Sequence, residues 1–207
     1  MTTIILTRHG HVEGISPERF RGRTDLPLTR LGELQATAVA ARVASAWKPG
    51  RIYSSPLRRC LATAQTIAQA CGAASEALDD LTDIDYGAWQ WQTTQEVRAA
   101  SPDLLALWYS APHLLRFPGG DSLQDLVART ANALRFVIGR HPGATDTVVL
   151  VGHDSVNRAL LLQLLDQPLS AYWRLAQQPC AINEIDIAGG RVCVLRVNDT
   201  SHLEAIA

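Results

Sequence analysis

The chain has 207 residues, of which 47% are hydrophobic and 19% are charged, and its formal net charge is −1 at pH 7. This length and apolar content allow a sizeable core, and they exclude a disordered chain. The near-neutral charge argues against a general nucleic-acid surface, and no apolar run approaches the roughly 20 residues of a membrane span. We therefore expect a single domain over residues 1–207, with neither a nucleic-acid nor a membrane partner.

The cysteines and the N-terminal residues bear on cellular location. Cys60, Cys71, Cys180 and Cys193 are scattered and form no C-x-x-C pair, which is typical of reduced, structural thiols. The N-terminus has no basic segment, and its apolar run is too short for the core of a signal peptide. These features predict a cytoplasmic protein.

The first predicted element is an apolar, β-branched run, Thr3 to Thr7, that ends in Arg8, His9 and Gly10. This pattern predicts a buried strand that delivers polar side chains at its carboxyl end, where open α/β sheets hold their sites. The Arg8 guanidinium has the shape to bind phosphate or carboxylate. Taken alone, Arg-His-Gly fits an ordinary surface turn equally well, so its meaning depends on partners elsewhere in the chain.

A polar loop that is rich in arginine follows this strand. Because loops after strands often carry function, Arg21 is a candidate for binding an anion, whereas Arg19 and Arg23 fit solvated charges better. Thr29 can then cap a helix predicted from Leu31 to Trp47.

The next unit repeats the strand-then-helix design. Arg51 to Ser54 is predicted as a strand, Ser55 as an N-cap, and residues 57–70 as a helix. Arg58 and Arg59 would then lie in the first helical turn, where exposed cations oppose the helix dipole at a cost of about 0.3–1 kcal/mol each. Two arginines in that place make better sense if they bind an anion.

The middle of the chain is predicted as a loop and three capped helices. The loop, Leu81 to Trp89, carries two acids, Asp83 and Asp85. The three predicted helix starts are marked by capping residues or proline, and they lie at Thr93, Ser101-Pro102 and Ser122. The turn His141-Pro142-Gly143 ends the last of these helices.

The opening pattern then returns. A second β-branched run, Thr147 to Val151, ends in Gly152, His153 and Asp154, and a helix is predicted from Ser155 to Leu165. A second strand thus delivers a second histidine. Two alternating runs around Gly189-Gly190 predict a C-terminal hairpin.

Strands that alternate with helices imply a three-layer α/β sandwich, with a mainly parallel sheet flanked by helices on both faces. Arg8, His9, one of Arg58 and Arg59, and His153 should then converge on one edge of the sheet. Two histidines beside arginines are typical of a phosphoryl site in which one imidazole is the nucleophile. A nearby carboxylic acid, on the loop with Asp83 and Asp85, could protonate the leaving group.

Five different short motifs follow one another along the chain. They are Thr7-Arg8-His9-Gly10, Ser54-Ser55-Pro56-Leu57-Arg58-Arg59, Leu81-x-Asp83-x-x-x-Gly87-x-Trp89, Pro118-Gly119-Gly120-Asp121-Ser122 and Val151-Gly152-His153. Each motif alone is weak. Together they make nearly the whole chain resemble the histidine phosphatase superfamily, in its phosphoglycerate mutase-like branch.

The resemblance implies roles for individual residues. The histidine of Arg-His-Gly becomes phosphorylated in that family, and this role falls on His9. The flanking arginine corresponds to Arg8, and the arginine that closes the Ser-Ser-Pro-Leu-x-Arg pattern corresponds to Arg59, with Arg58 beside it. The second histidine, which binds the phosphoryl group, corresponds to His153.

The proton donor is where the chain departs from the family pattern. The donor is usually a glutamate, and the matching position here is Asp83, which is one methylene shorter. Asp85 or Asp154 could share the task, since the His-Asp pair resembles the acid phosphatase branch; Asp154 also counts as a phosphate-binding candidate. Ile15 replaces an asparagine that usually contacts phosphate.

The resemblance also bears on the reaction. Mutases of this kind carry an extra segment with a triple-proline stretch and a lysine, and the region from Gln92 to Pro118 has neither. The chain is therefore predicted to be a phosphatase acting on small phosphorylated metabolites. A mutase-type phosphoryl transferase and a catalytically weak phosphoester-binding protein are the alternatives. We expect no cofactor and no metal, because no carboxylate or cysteine set completes a site around His9 and His11.

Overall fold

The computed structural model describes residues 1–142 and 146–206, so the predicted turn residue Gly143 lies outside the described residues. Its strands are β1 (Thr2–Arg8), β2 (Arg51–Ser54), β3 (Ala74–Ala77), β4 (Asp146–Gly152), β5 (Ile182–Ala188) and β6 (Arg191–Asp199). Its α-helices are α1 (Arg30–Ala46), α2 (Arg58–Cys71), α3 (Thr94–Ala100), α4 (Pro102–Ser110), α5 (Leu123–Arg140) and α6 (Asp154–Leu164). None of the helices in these ranges has the length and apolar character needed to cross a bilayer.

The strands form one mixed sheet in the order β3-β2-β4-β1-β5-β6. The first four strands in this order are parallel, whereas β5 runs antiparallel to β1 and β6 runs antiparallel to β5. In the pairing of β1 with β4, Arg8 lies opposite Gly152. The two central strands therefore end at the same level, and the residues that follow them emerge side by side.

Helices cover both faces of the sheet. Ile4 and Leu6 point to the face packed by α5 and α6, and Ile5 points to the face packed by α1 and α2, as the two-residue period of a strand requires. Each of these side chains is at most 1% exposed, and such burial contributes roughly 1.5–3 kcal/mol per side chain. The predicted three-layer α/β fold with a mainly parallel sheet is confirmed.

Most of the predicted helix starts are confirmed. The Thr29 hydroxyl accepts a hydrogen bond from the backbone N–H of Gly32 at the start of α1. Thr93 and Ser122 each form a reciprocal capping box, at the starts of α3 and α5. Side chains that satisfy the free N–H groups of a first turn are readily recognised in sequence.

The predicted start of α2 is wrong. Helix α2 begins at Arg58, its N-cap is Leu57, and no side chain caps it. Ser55 lies three residues earlier, buried at the end of β2. Strand β3 was not predicted, because Ala-Ser-Glu-Ala has little β propensity and lies at the edge of the sheet, paired only with β2.

Candidate active site

His9 follows β1 and is 1% exposed. Its backbone N–H donates to the carbonyl of Gly152 at 3.0 Å, which ties it to the end of β4. Its Nδ1 lies 2.7 Å from the carbonyl oxygen of Gly10. Because a carbonyl can only accept, Nδ1 carries the hydrogen, and Nε2 keeps the lone pair that a nucleophile needs.

Gly10 brings the backbone of this turn against helix α1. A Cβ at position 10 would lie 2.4 Å from the carbonyl oxygen of Gly32 in the first turn of α1. A Cβ at position 32 would lie 2.1 Å from the carbonyl oxygen of His11. Only glycine allows this close approach. The backbone that follows His9 therefore packs directly against the backbone of α1, and this contact fixes the position of His9.

Arg59 lies between the two histidines that follow β1 and β4. Its Nε is 3.2 Å from Nε2 of His9 and 3.2 Å from Nδ1 of His153. Its terminal nitrogens donate to the backbone carbonyls of Thr24 and Gly22, both at 2.7 Å. The Arg59 and His153 side chains are both fully buried. The guanidinium is therefore held rigidly beside Nε2 of His9, the atom that would receive a phosphoryl group.

Burial lowers the pKa of His9 well below its usual value, and the charge of Arg59 lowers it further. The same causes, in the same order, lower the pKa of His153. Both imidazoles are thus neutral near pH 7. A neutral His9 is the form that can attack phosphorus.

Asp83 completes this cluster from the loop between β3 and α3. Its Oδ2 is 3.1 Å from a terminal nitrogen of Arg59 and 3.5 Å from Nδ1 of His153. Its Oδ1 accepts a hydrogen bond from the hydroxyl of Ser155. Burial raises the pKa of Asp83, although Arg59 opposes the shift. This carboxyl therefore keeps its proton to a higher pH than an exposed aspartic acid does.

Asp154 has opposite surroundings, although it follows His153 directly. Its carboxylate pairs with Arg158, one helical turn later on α6, at 3.3 Å. Burial alone would raise its pKa, but Arg8, Arg158 and Arg21 bring that pKa well below its usual range. Asp154 therefore stays ionised.

Two other residues singled out in the sequence lie outside this cluster. Asp85 pairs with Arg23 at 3.3 Å and accepts from the backbone N–H of Gly87 at 2.8 Å. Arg58 is exposed, and its backbone N–H donates to Asp25 at 2.8 Å. Their described contacts do not reach His9 or His153, so the structure brings together Arg59 but not Arg58, and Asp83 but not Asp85.

Arg8 and Arg21 are buried cations beside the cluster. Arg8 is 6% exposed and donates to the backbone carbonyl of Gln177 at 2.7 Å, and its buried Nε has no partner among the described residues. Arg21 is 9% exposed and donates to the carbonyl of Gly14 at 2.5 Å. Neither guanidinium has a carboxylate within 4.0 Å in the described part of the chain. Buried cations without an acid partner favour an anionic ligand.

A cleft lies beside the cluster, and Arg21 and Asp154 are part of its lining. Asp154 and Arg158 contribute charged groups to its lining, and Trp108 contributes an aromatic wall. Trp173 and Tyr109 also line the cleft, and the sequence does not identify them as site residues. No sequence signal marks Trp173, because the short turn from residue 169 to 174 has no period of its own, and Tyr109 is an exposed residue near the end of α4.

Two other tryptophans, Trp89 of the third motif and Trp91, lie outside the cleft lining. Trp89 is 2% exposed and packs in the core. Trp91 is 37% exposed, and the guanidinium of Arg19 lies 5.3 Å from its ring centre. Within residues 1–142 and 146–206, no group of three or more His, Cys, Asp or Glu side chains could hold a metal ion.

Curated relatives match almost the whole chain. Phosphoserine phosphatase 1 of Hydrogenobacter thermophilus is 33% identical over 203 residues, which cover 98% of this chain and 95% of that protein. A probable phosphoglycerate mutase, GpmB, of Salmonella paratyphi C is 32% identical over 213 residues, covering 100% of this chain and 97% of that protein.

Solved structures give the same result for the fold. Bacillus stearothermophilus YhfR superposes with a TM-score of 0.92 at 30% identity, covering 99% of this chain and 100% of that one. A phosphoserine phosphatase mutant of Entamoeba histolytica in complex with phosphoserine gives 0.86 at 26% identity, covering 98% and 100%. The family model of the histidine phosphatase superfamily (branch 1) matches residues 4–200, and the chain belongs to this superfamily.

Proposed function

We propose that this phosphatase hydrolyses small phosphomonoesters through a phosphohistidine on His9. The observation that carries the proposal is the geometry around Nε2 of His9. That atom is unprotonated, buried, and 3.2 Å from the Nε of Arg59. A nucleophile beside a fixed guanidinium is what phosphoryl transfer requires, since its catalysis rests on positioning and charge stabilisation.

In the first step, Nε2 of His9 forms a bond to phosphorus while the ester P–O bond breaks. Arg8, Arg59 and His153 stabilise the charge on the phosphoryl oxygens, with Arg21 at the side of the cleft. The carboxylic acid of Asp83 gives its proton to the leaving alkoxide. General acid catalysis of this kind typically contributes about 10²–10⁴-fold.

In the second step, water takes the place of the departed alcohol. The Asp83 carboxylate accepts a proton from that water as its oxygen attacks phosphorus, and the bond between phosphorus and Nε2 of His9 breaks. Inorganic phosphate leaves, and Asp83 is protonated again. Asp154 does not take this role in our proposal, because Arg8 and Arg158 keep it ionised.

The substrate is proposed to be a small phosphorylated metabolite whose alcohol part occupies the cleft lined by Trp108 and Trp173. The names of two relatives, which are phosphoserine phosphatases, support this size class. We further propose one domain over residues 1–207 and a cytoplasmic location. The four free cysteines support that location.

A mutase-type phosphoryl transferase is the second candidate, because one relative is a probable phosphoglycerate mutase. Against it, the region from Gln92 to Pro118 contains no lysine and forms the short helices α3 and α4. Phosphatase action releases inorganic phosphate from 3-phosphoglycerate or phosphoserine, whereas mutase action interconverts 2- and 3-phosphoglycerate without release. Assaying both products in one reaction separates the two.

The test of the proposal is His9→Ala. We expect turnover of an aryl phosphate to vanish in this variant, because the nucleophile is gone, while inorganic phosphate still binds. His113→Ala serves as a matched control, because the described hydrogen bond of His113 joins its backbone carbonyl to Gln124. Full activity in His9→Ala would overturn the mechanism. Phosphate binding without any turnover in the wild type would instead make the chain a phosphoester-binding protein.

A further inference from the structure

Ser55 is buried behind the second histidine, and neither the helix cap nor the proposed reaction uses it. It is 0% exposed and follows β2 directly. Its Oγ lies 2.9 Å from Nε2 of His153. The hydroxyl therefore touches the ring nitrogen that faces away from Arg59.

The neighbours of His153 decide which of its nitrogens carries the hydrogen. On one side, the Nε–H of Arg59 can only donate, and it lies 3.2 Å from Nδ1. The same N–H also lies 3.2 Å from Nε2 of His9, and the Asp83 carboxyl lies 3.5 Å from Nδ1. Arg59 therefore favours Nδ1 as an acceptor but does not fix the tautomer alone. When Nδ1 accepts, the hydrogen of the neutral imidazole is on Nε2, which donates to the Ser55 hydroxyl.

The Cys60 thiol also lies close to Nε2. Its sulfur is 3.5 Å from Nε2 of His153, and it donates to the backbone carbonyl of Gly152 at 3.4 Å. The Ser55 oxygen accepts from the backbone N–H of Leu57 at 3.3 Å. Its two lone pairs allow it to accept from Leu57 and from Nε2–H of His153 at the same time.

We propose that Ser55 is a positioning residue that holds His153 as the Nε2–H tautomer and turns its Nδ1 toward the phosphoryl site. The inference rests on the proposed function, because it concerns how His153 meets the phosphoryl group. With a lone pair on Nδ1, the ring cannot donate to a phosphoryl oxygen. It becomes a donor when monoanionic phosphate passes its P–OH proton to Nδ1 and stays bound as the dianion. Nδ1–H then donates to the phosphate, and Nε2–H still donates to Ser55.

The tautomer is tested by NMR of protein with ¹⁵N-labelled histidine, where His153 is assigned by its absence from the His153→Gln spectrum. We expect the free wild type to show Nε2 protonated and Nδ1 bare, and we expect Nδ1 to gain a proton when inorganic phosphate is added. In Ser55→Ala the preference for Nε2–H should be lost. A wild type with Nδ1 protonated, or a Ser55→Ala protein with unchanged tautomer, would overturn the inference.

Kinetics supply the second readout. Removing the partner that orients a metal-bound imidazole typically costs about 10–100-fold in activity, and we expect a loss of similar size in kcat/KM for Ser55→Ala. Ser55→Thr keeps the hydroxyl and should recover most of that loss. Ser54→Ala is the matched control, because Ser54 is also buried and the described hydrogen bonds of both histidines omit it.

A Ser55→Thr variant no better than Ser55→Ala would also overturn the inference, because it would leave packing alone as the explanation. These outcomes are separate from failure of the proposed function. The tautomer is read in the free protein without turnover, whereas the nucleophile is tested by His9→Ala. Retained activity in His9→Ala would therefore reject the phosphohistidine and leave the measured tautomer unaffected.

Discussion

Asp83 and Asp154 are two carboxyls near the same histidine, and their environments separate their protonation. Asp83 is buried against the hydroxyl of Ser155, and burial raises its pKa. Asp154 lies among guanidinium groups that lower its pKa. Pairs of acids whose surroundings push their pKa values apart are how one site holds both a proton donor and a fixed negative charge.

At this scale we expect Asp83→Asn to slow alkyl phosphates by about 10²–10⁴-fold, as loss of a general acid does. Aryl phosphates should slow much less, because their leaving groups depart without a proton. Because Asp83 must be protonated to act as the acid, wild-type kcat for alkyl phosphates should fall as pH rises through its raised pKa, and the variant should lack this fall. Steady-state kinetics over pH 5–9 measure both effects.

Asp85→Asn is the matched control for this substitution. Asp85 lies on the same loop but pairs with Arg23, so its variant should keep the wild-type preference between alkyl and aryl esters. Equal losses for both ester classes in Asp83→Asn would remove Asp83 as the acid. A selective loss for alkyl esters in Asp154→Asn would assign the proton to Asp154.

At the scale of elements, helix α5 holds the loop that carries Asp83. Arg129 on α5 donates to the backbone carbonyls of Asp80 and Thr82. A terminal nitrogen also approaches the carboxylate of Asp121 at 3.4 Å. A single side chain thus fixes the course of the loop just before the proposed acid. Nothing in the sequence pattern of α5 separates Arg129 from the other arginines of that helix.

We expect Arg129→Met to destabilise the protein by about 1–3 kcal/mol, the usual value for hydrogen bonds to a charged group. It should also slow alkyl phosphates more than aryl phosphates, because Asp83 would no longer be held in place. Arg135→Met on the same helix is the control, since Arg135 is exposed and, among the described residues, its side chain is hydrogen-bonded to Asn132 alone. Urea unfolding and the two ester assays measure these effects. Equal behaviour of the two variants would contradict the role given to Arg129.

The elements that could be predicted are those whose signals are local. Thr93 and Ser122 mark helix starts because a cap and its partner lie within four residues. Runs of β-branched residues that end in His9 and His153 mark the two central strands. Position Ser55 has the residue type of a cap, but its hydroxyl has a tertiary partner 98 residues away. Local sequence cannot reveal such a partner.

The same distinction applies to the site. His9, Arg59 and His153 could be placed at one edge because parallel strands share their carboxyl ends, and this needs only the order of elements. The choice between Asp83 and Asp85 depends on which way each side chain leaves an irregular loop. Asp83 and Asp85 are two residues apart, yet Asp83 pairs with Arg59 and Asp85 pairs with Arg23. No periodicity in the sequence predicts these different partners.

At the scale of the whole molecule, the buried neutral histidines make stability depend on pH. In the folded state the pKa values of His9 and His153 lie well below their usual value, so below about pH 6.5 the unfolded chain binds more protons than the folded one. Stability is then lost as pH falls. The raised pKa of Asp83 acts in the opposite direction and offsets part of this loss.

We expect the free energy of unfolding to fall by roughly 1–2 kcal/mol per pH unit on acidification below about pH 6.5. Urea titrations between pH 5 and 7.5 measure it. His153→Gln should reduce the slope. A stability that is flat or rises on acidification would contradict the assignment of neutral, buried imidazoles.

The position of β4 in the sheet has a consequence for the order of folding. β4 lies between β2 and β1, although more than 90 residues separate its first residue from the end of β2. As the chain leaves the ribosome, β1 and β2 emerge early, but these two strands do not pair with each other. The central gap closes only when Asp146–Gly152 arrives, and closing such a long loop is slow. A nascent chain therefore carries His9 long before β4 can bring His153 beside it.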